Sequence, residues 1–235
     1  MLSEFKKISE YPLLEAPVTI RLGFYKKGAL QYISHLDLQR TFQRIISRAE
    51  LPLWYTQGFN PHPKLVFGLP LPIGCESVCE MADIKLVRDM PAEDILARLH
   101  KATVADLDFF ACYPAERKFA DIDGALYEYN IDCTVDDEMI EKIERVLSNS
   151  PLTVMKHTKS GDKEVDIFPL IKSFKLEKRE GGLKITALLA AGSVQNLSPE
   201  YLLEALRKRL IFLREEENYS IKRLSIHDAK GKIFK

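Results

Sequence analysis

The chain has 235 residues, 46% of them hydrophobic, with 34 basic and 34 acidic side chains, enough apolar surface for one large or two small folded cores. A formal net charge of zero excludes a global field that would recruit nucleic acid or an anionic membrane, so any such attraction must be local. No run approaches the ~20 apolar residues of a membrane helix, and the N-terminal stretch lacks the apolar core of a leader; the sequence reads as a cytoplasmic protein without membrane contact.

Val18 to Tyr25 is expected as a strand, Lys26-Lys27-Gly28 as a turn, and Leu30 to Ile33 as a second short strand. Ser34 followed three residues later by Asp37 is a capping-box-like start, with Asp37 suited to the positive end of a helix dipole. Leu38, Phe42, Ile45, Ile46 and Ala49 then fall on one apolar stripe at helical period. Arg40, Arg44 and Arg48 repeat every fourth residue on another face, and only Asp37 lies close enough to pair within the helix. From Pro17 to Cys75 the count is seven Lys/Arg against two acids, a local net charge of +5.

Leu51-Pro52 stops the helix. A short extended piece, Leu53 to Tyr55, leads into Gln57-Gly58-Phe59-Asn60-Pro61-His62-Pro63-Lys64. Two prolines spaced by one residue exclude helix and central strand alike and leave a stiff loop. Asn60, His62 and Lys64 are therefore held with little entropy left to lose, as a binding or catalytic loop needs. His35 and Asp37 at the helix start are expected as neighbours of this loop.

Leu65 to Leu71 and Val78 to Val87 read as extended, a helix opens at Pro91 with Ile95, Leu96 and Leu99 inward, and Leu107 to Tyr113 is a strand. The polar stretch from Pro114 to Gly124 is a candidate linker. Beyond it the order repeats: strand Ala125 to Val135, helix Asp136 to Leu147 capped by Asp136 and Asp137, strand Leu152 to His157, then Val165 to Ile167. A hairpin (Ser173 to Lys178, Leu183 to Leu189) turns at Gly181-Gly182, a helix is capped by Ser198, and Tyr219 to His227 closes. The tail from Asp228 is expected to be loose. The fold class is therefore α+β, two ferredoxin-like βαββαβ halves packed together, residues 1–115 carrying the SHLD and GFNPHPK motifs and residues 116–235 forming the second half.

Four cysteines, Cys75, Cys79, Cys112 and Cys133, are too sparse for a disulfide framework and read as reduced thiols. Cys75 and Cys79 lack a third cysteine at ligand spacing, position 82 being Ala82, so no iron–sulfur or other cofactor and no structural metal is expected.

The segments YISHLDLQRTFQR, LPLWYTQGFNPHPKLVFGLPLPIG, KEVDIFPLIKSF and AAGSVQNLSPEYLLEAL together resemble the uncharacterised bacterial family of radical SAM-linked proteins, over nearly the whole chain. That resemblance implies a protein working beside a radical SAM enzyme, with no residue roles attached. Such an enzyme uses C-x3-C-x2-C, which this chain lacks, so it is not the radical enzyme itself. Paired ferredoxin-like halves with a basic helix are also similar, at the level of architecture alone, to RNA-binding and RNA-cleaving repeat-processing proteins of CRISPR systems.

Three functions follow as expectations. The first is an accessory or substrate-recognition protein for a radical SAM partner, without activity of its own, binding RNA (tRNA or rRNA). Arg40, Arg44, Arg48, Lys26, Lys27 and Lys64 would contact phosphate, Asp37, Gln57 and Asn60 would lie in the binding site, and Tyr25, Tyr32, Trp54, Tyr55 and Phe59 would offer stacking surfaces. The second is a metal-independent ribonuclease or other phosphodiesterase with His35 and His62 as acid and base and Lys64 stabilising the developing anion. A metal-dependent variant would use His35, Asp37 and His62 as ligands. The third is a purely protein-binding adaptor.

Overall fold

A computed structural model describes residues 5–158, 161–210 and 218–235. They gather into two compact units, one up to Phe119 and one from Ala120. No helix among the described residues is long and apolar enough to cross a membrane.

The first unit runs β1 (Leu13–Lys26), α1 (His35–Arg48), β2 (Leu65–Phe67), β3 (Cys75–Arg88), α2 (Ala92–Ala102) and β4 (Leu107–Pro114). β1 pairs antiparallel with both β3 and β4, and β2 pairs antiparallel with β3. The order β4-β1-β3-β2 with βαββαβ connectivity is that of a ferredoxin-like sheet. Both helices cover one face, because Leu22 and Phe24 of β1 and Ala82, Ile84 and Leu86 of β3 alternate inward to meet the α1 stripe. Phe42 of α1 is the hub, its ring centroid 4.6 Å from Phe24, 5.0 Å from Phe67 and 5.5 Å from Phe109. Truncating so central a phenyl costs about 3–5 kcal/mol.

The second unit runs β5 (Ile122–Asp132), α3 (Asp137–Ser148), a hairpin of β6 (Thr153–Thr158) and β7 (Gly161–Asp166), β8 (Ile171–Arg179), β9 (Gly182–Ala190), α4 (Glu200–Arg209) and β10 (Tyr219–Asp228). β5 pairs antiparallel with β9 and β10, and β8 with β9. Setting aside the β6–β7 hairpin, which pairs only with itself, this is the same βαββαβ order. The expected β8–β9 turn forms with Gly181 at φ 73°, a left-handed value suited to glycine. Asp136 caps α3, its Oδ1 accepting from the Met139 amide at 2.8 Å.

Several expectations are corrected. The strand expected from Leu30 to Ile33 is a 3-10 turn spanning Gly28–Tyr32. The Leu30 amide donates to the Lys27 carbonyl and that of Ile33 to the Leu30 carbonyl, both at 3.2 Å, so local turn bonds take donors a ladder would need. The Gly28 amide donates to Glu76 Oε1 at 2.9 Å and that of Ala29 to Asp106 Oδ2 at 3.0 Å, pinning the start of the turn. The strand expected from Leu65 to Leu71 ends at Phe67. α4 has no side-chain cap from Ser198; Pro199 already holds helical angles ahead of it. The boundary between the two units falls inside the expected linker, between Phe119 and Ala120, but residues 115–119 are anchored to the first unit. The Ala115 amide donates to the Thr19 carbonyl at 3.0 Å, Arg117 accepts from the Arg21 guanidinium at 2.7 Å, and the Phe119 ring stacks on that guanidinium at 4.1 Å. Gly68 makes room for this ring, since a Cβ there would lie 2.7 Å from it. The tail is likewise held, with Phe234 buried and its amide donating to the Ile226 carbonyl at 2.8 Å.

Candidate functional site

α1 starts as its sequence dictates. Ser34 Oγ accepts from the Asp37 amide at 3.1 Å and donates to Asp37 Oδ2 at 2.7 Å, while Arg40 reaches Oδ1 at 3.2 Å. The Ser34 hydroxyl, with Arg40 behind it, holds the Asp37 carboxyl below its usual value. Asp37 thus serves the helix cap. Ile33 and Leu38, at the two positions of a hydrophobic staple, both turn toward the core of the first unit.

Arg40, Arg44 and Arg48 do share one face. With Gln43 and Ser47 they line an open surface groove of about 580 Å³. Arg40 is shared with Asp37, and Arg48 Nη2 donates to the Ala102 carbonyl at 2.8 Å, closing the C-terminal end of α2. Among the described residues no carboxylate pairs with Arg44. Sequence reading missed Arg98, which is 3% exposed and donates to the Ala49 carbonyl at 3.5 Å and the Lys6 carbonyl at 2.5 Å. Its place beside the Ile95 and Leu99 stripe of α2 was the available signal.

The proline loop is an excursion from a single edge strand. Leu53 bridges Leu86, the Trp54 amide donates to the Lys85 carbonyl at 2.8 Å, and pairing resumes with Leu65 opposite Ile84. Residues 55–64 are extruded between two successive registers of one partner, in the manner of an enlarged bulge. A Tyr55–Pro63 bridge, a Thr56 amide to His62 carbonyl bond of 2.9 Å and a Lys64 amide to Trp54 carbonyl bond of 3.4 Å close its base. Gln57, Phe59, Asn60, His62 and Lys64 are all exposed. His62 Nδ1 lies 3.1 Å from the Asn60 carbonyl and 3.2 Å from Thr56 Oγ1. A carbonyl only accepts, which assigns the neutral ring's proton to Nδ1 and leaves Nε2 as an acceptor.

The residue that β2 sets against His35 is Phe67, edge-on at 5.1 Å between ring centroids. His62 lies five positions earlier in the chain and makes its bonds within the loop. Among the described residues no three His, Cys, Asp or Glu side chains converge to hold a metal ion, so the three-ligand site of His35, Asp37 and His62 does not form. Cys75 and Cys79 lie on one extended strand, about 13 Å apart at its rise per residue, and burial pushes the Cys112 thiol up to about 12.

The aromatic candidates divide. Tyr25 is stacked on Phe110 at 4.6 Å with the Lys27 ammonium 4.2 Å from its centroid, so its ring is already engaged. Lys85 lies 5.5 Å from the half-buried Trp54 ring. Tyr32, Tyr55 and Phe59 are open, Phe59 completely. Of the remaining histidines, His100 bonds the Phe109 carbonyl and His227 the Gly231 carbonyl, while the His157 side chain lies outside the described residues.

Among solved structures the chain is similar to one chain of a Cbf5-Nop10-Gar1 complex, at 8% identity and a TM-score of 0.42 over 94% of this chain, and it spans 55% of that chain. It is also similar to an unknown protein from Galdieria sulphuraria, at 8% identity and a TM-score of 0.25 over 88% of this chain and 99% of that one. No curated protein matches it. A family model described as an uncharacterised protein conserved in bacteria matches residues 19–199, and the chain belongs to that family, DUF2344.

Proposed function

We propose that this protein is an accessory or substrate-recognition component of a radical SAM enzyme and that it binds RNA through the outer face of α1. The observation that carries the RNA reading is the groove in which Arg40, Arg44 and Arg48 stand together with Gln43 and Ser47. Four residues of helix rise about 6 Å, a spacing comparable to that of adjacent phosphates along one strand, so three consecutive phosphates can each meet a guanidinium. Gln43 and Ser47, between the arginines, can bond phosphate or ribose oxygens. The local excess of positive charge in a neutral chain is what such a surface needs. The radical SAM partner is supported by the sequence resemblance alone.

The test is RNA binding as a function of salt. A variant with Arg40, Arg44 and Arg48 all changed to Ala should bind more weakly, and the slope of log affinity against log salt should fall by roughly two to three units, the contribution of three phosphate contacts. An unchanged slope would remove these arginines from the interface. Co-purification from native cells, with RNA and protein both identified, tests the partner: recovery of RNA without any radical SAM enzyme would sink that half of the proposal.

A further inference from the structure

We propose that the loop from Tyr55 to Lys64 reads one unpaired RNA base, Phe59 stacking on its face while Gln57, Asn60 and His62 Nε2 bond its edge. The inference rests on the RNA-binding reading above and goes beyond it, because an arginine row recognises phosphate and carries no base information.

Phe59 is fully exposed. A phenyl ring in water contributes nothing to the core, and the loop has been built to hold it there. Gly58 turns the chain at φ 129°, prolines 61 and 63 restrict the residues before them, and the Thr56–His62 bonds lock the base of the excursion. The ring is therefore presented on a support that is ordered before any ligand arrives, which lowers the entropic cost of stacking.

The chemistry of the same loop selects the occupant. The amides of Gln57 and Asn60 are exposed and have no hydrogen-bond partner among the described residues. His62 is oriented by the Asn60 carbonyl and Thr56 Oγ1 so that Nε2 is available as an acceptor. The loop holds no carboxylate, and Lys64 at its base offers a cation to the adjoining phosphate. A greasy protein pocket would take the phenyl ring but has no use for two amides and an imidazole acceptor exposed on the same loop. A nucleobase offers a flat face and an edge of mixed donors and acceptors, and RNA presents both only where it is unpaired.

The experiment uses two labelled RNAs, a hairpin with an unpaired loop and a blunt duplex of the same stem, with binding read by fluorescence anisotropy. The intact protein should prefer the hairpin. Phe59→Ala should weaken hairpin binding about tenfold or more, the loss expected for one stacked base, and leave duplex binding, the salt slope and the melting temperature unchanged. Phe59→Trp should keep the hairpin preference. Phe59→Leu, apolar but without a π face, should be as weak as Phe59→Ala. Wild-type-like binding by Phe59→Leu, or equal losses on hairpin and duplex, would overturn the stacking role. Binding of both RNAs with no effect of Phe59→Ala would overturn this inference and leave the arginine interface standing, whereas no binding of either RNA by the intact protein would remove both.

Discussion

The Arg48 guanidinium donates to the carbonyl of Ala102 at 2.8 Å, so the last arginine of the α1 row is also the cap of the neighbouring helix. A cation at that position satisfies an orphan carbonyl and opposes the negative end of the α2 dipole. Arg44, one turn earlier, has no such second task among the described residues.

The two arginines should therefore separate in a stability measurement. Arg48→Ala is expected to cost about 1 kcal/mol, a fall of roughly 2–4 °C in melting temperature for a chain of this size. Arg44→Ala should stay within about 0.5 kcal/mol of wild type while weakening RNA binding. Equal melting temperatures for the two variants would show that the Ala102 contact contributes no stability.

Arg21 is completely buried and bonds both carboxylate oxygens of Asp83, Nε to Oδ1 at 2.8 Å and Nη2 to Oδ2 at 3.0 Å. Replacing it by Ala strands the Asp83 carboxylate, removes the donor that anchors Arg117 and takes away the surface under Phe119. The expected loss is about 3–5 kcal/mol, read from urea unfolding. A loss below about 1 kcal/mol would mean that the 115–119 segment is held by its other contacts.

Asp37 supplies a pH prediction. The Ser34 hydroxyl lowers its folded-state value, so ionised Asp37 adds stability that is complete above the unfolded value of about 4 and is lost as pH falls through the lower folded one. In Ser34→Ala the carboxyl should titrate closer to its ordinary value. The variant's deficit should be greatest above pH ~4 and shrink below it. Carboxyl NMR titration of both proteins measures this directly, and identical Asp37 midpoints would refute it.

Features governed by local periodicity are legible in the sequence. The Ser34 start and apolar stripe of α1, the Asp136 cap of α3 and the glycine turn between β8 and β9 each depend on residues within a few positions of one another. Leu30 to Ile33 has an extended-looking pattern, but the turn that begins just before it is pinned by the Glu76 and Asp106 carboxylates, which reach Gly28 and Ala29 from 48 and 77 residues away. The polar composition of 114–124 marks the boundary between the two units, while the anchoring of residues 115–119 depends on Arg21, which bonds Arg117 from 96 residues away.

By itself, then, the sequence determined the α+β class, the order of strands and helices, the arginine row on one helix face and the stiffness of the proline loop, all of which follow from helix and strand periods, capping chemistry and the fixed φ of proline. Tertiary structure alone decided that residues 52–54 and 65–67 are two pieces of one edge strand with the loop extruded between them, that Phe67 meets His35, and that Phe59 stands free in solvent. Those facts depend on the register of β2 against β3, and a register is chosen by the sum of long-range side-chain contacts across a sheet rather than by any residue's own preference.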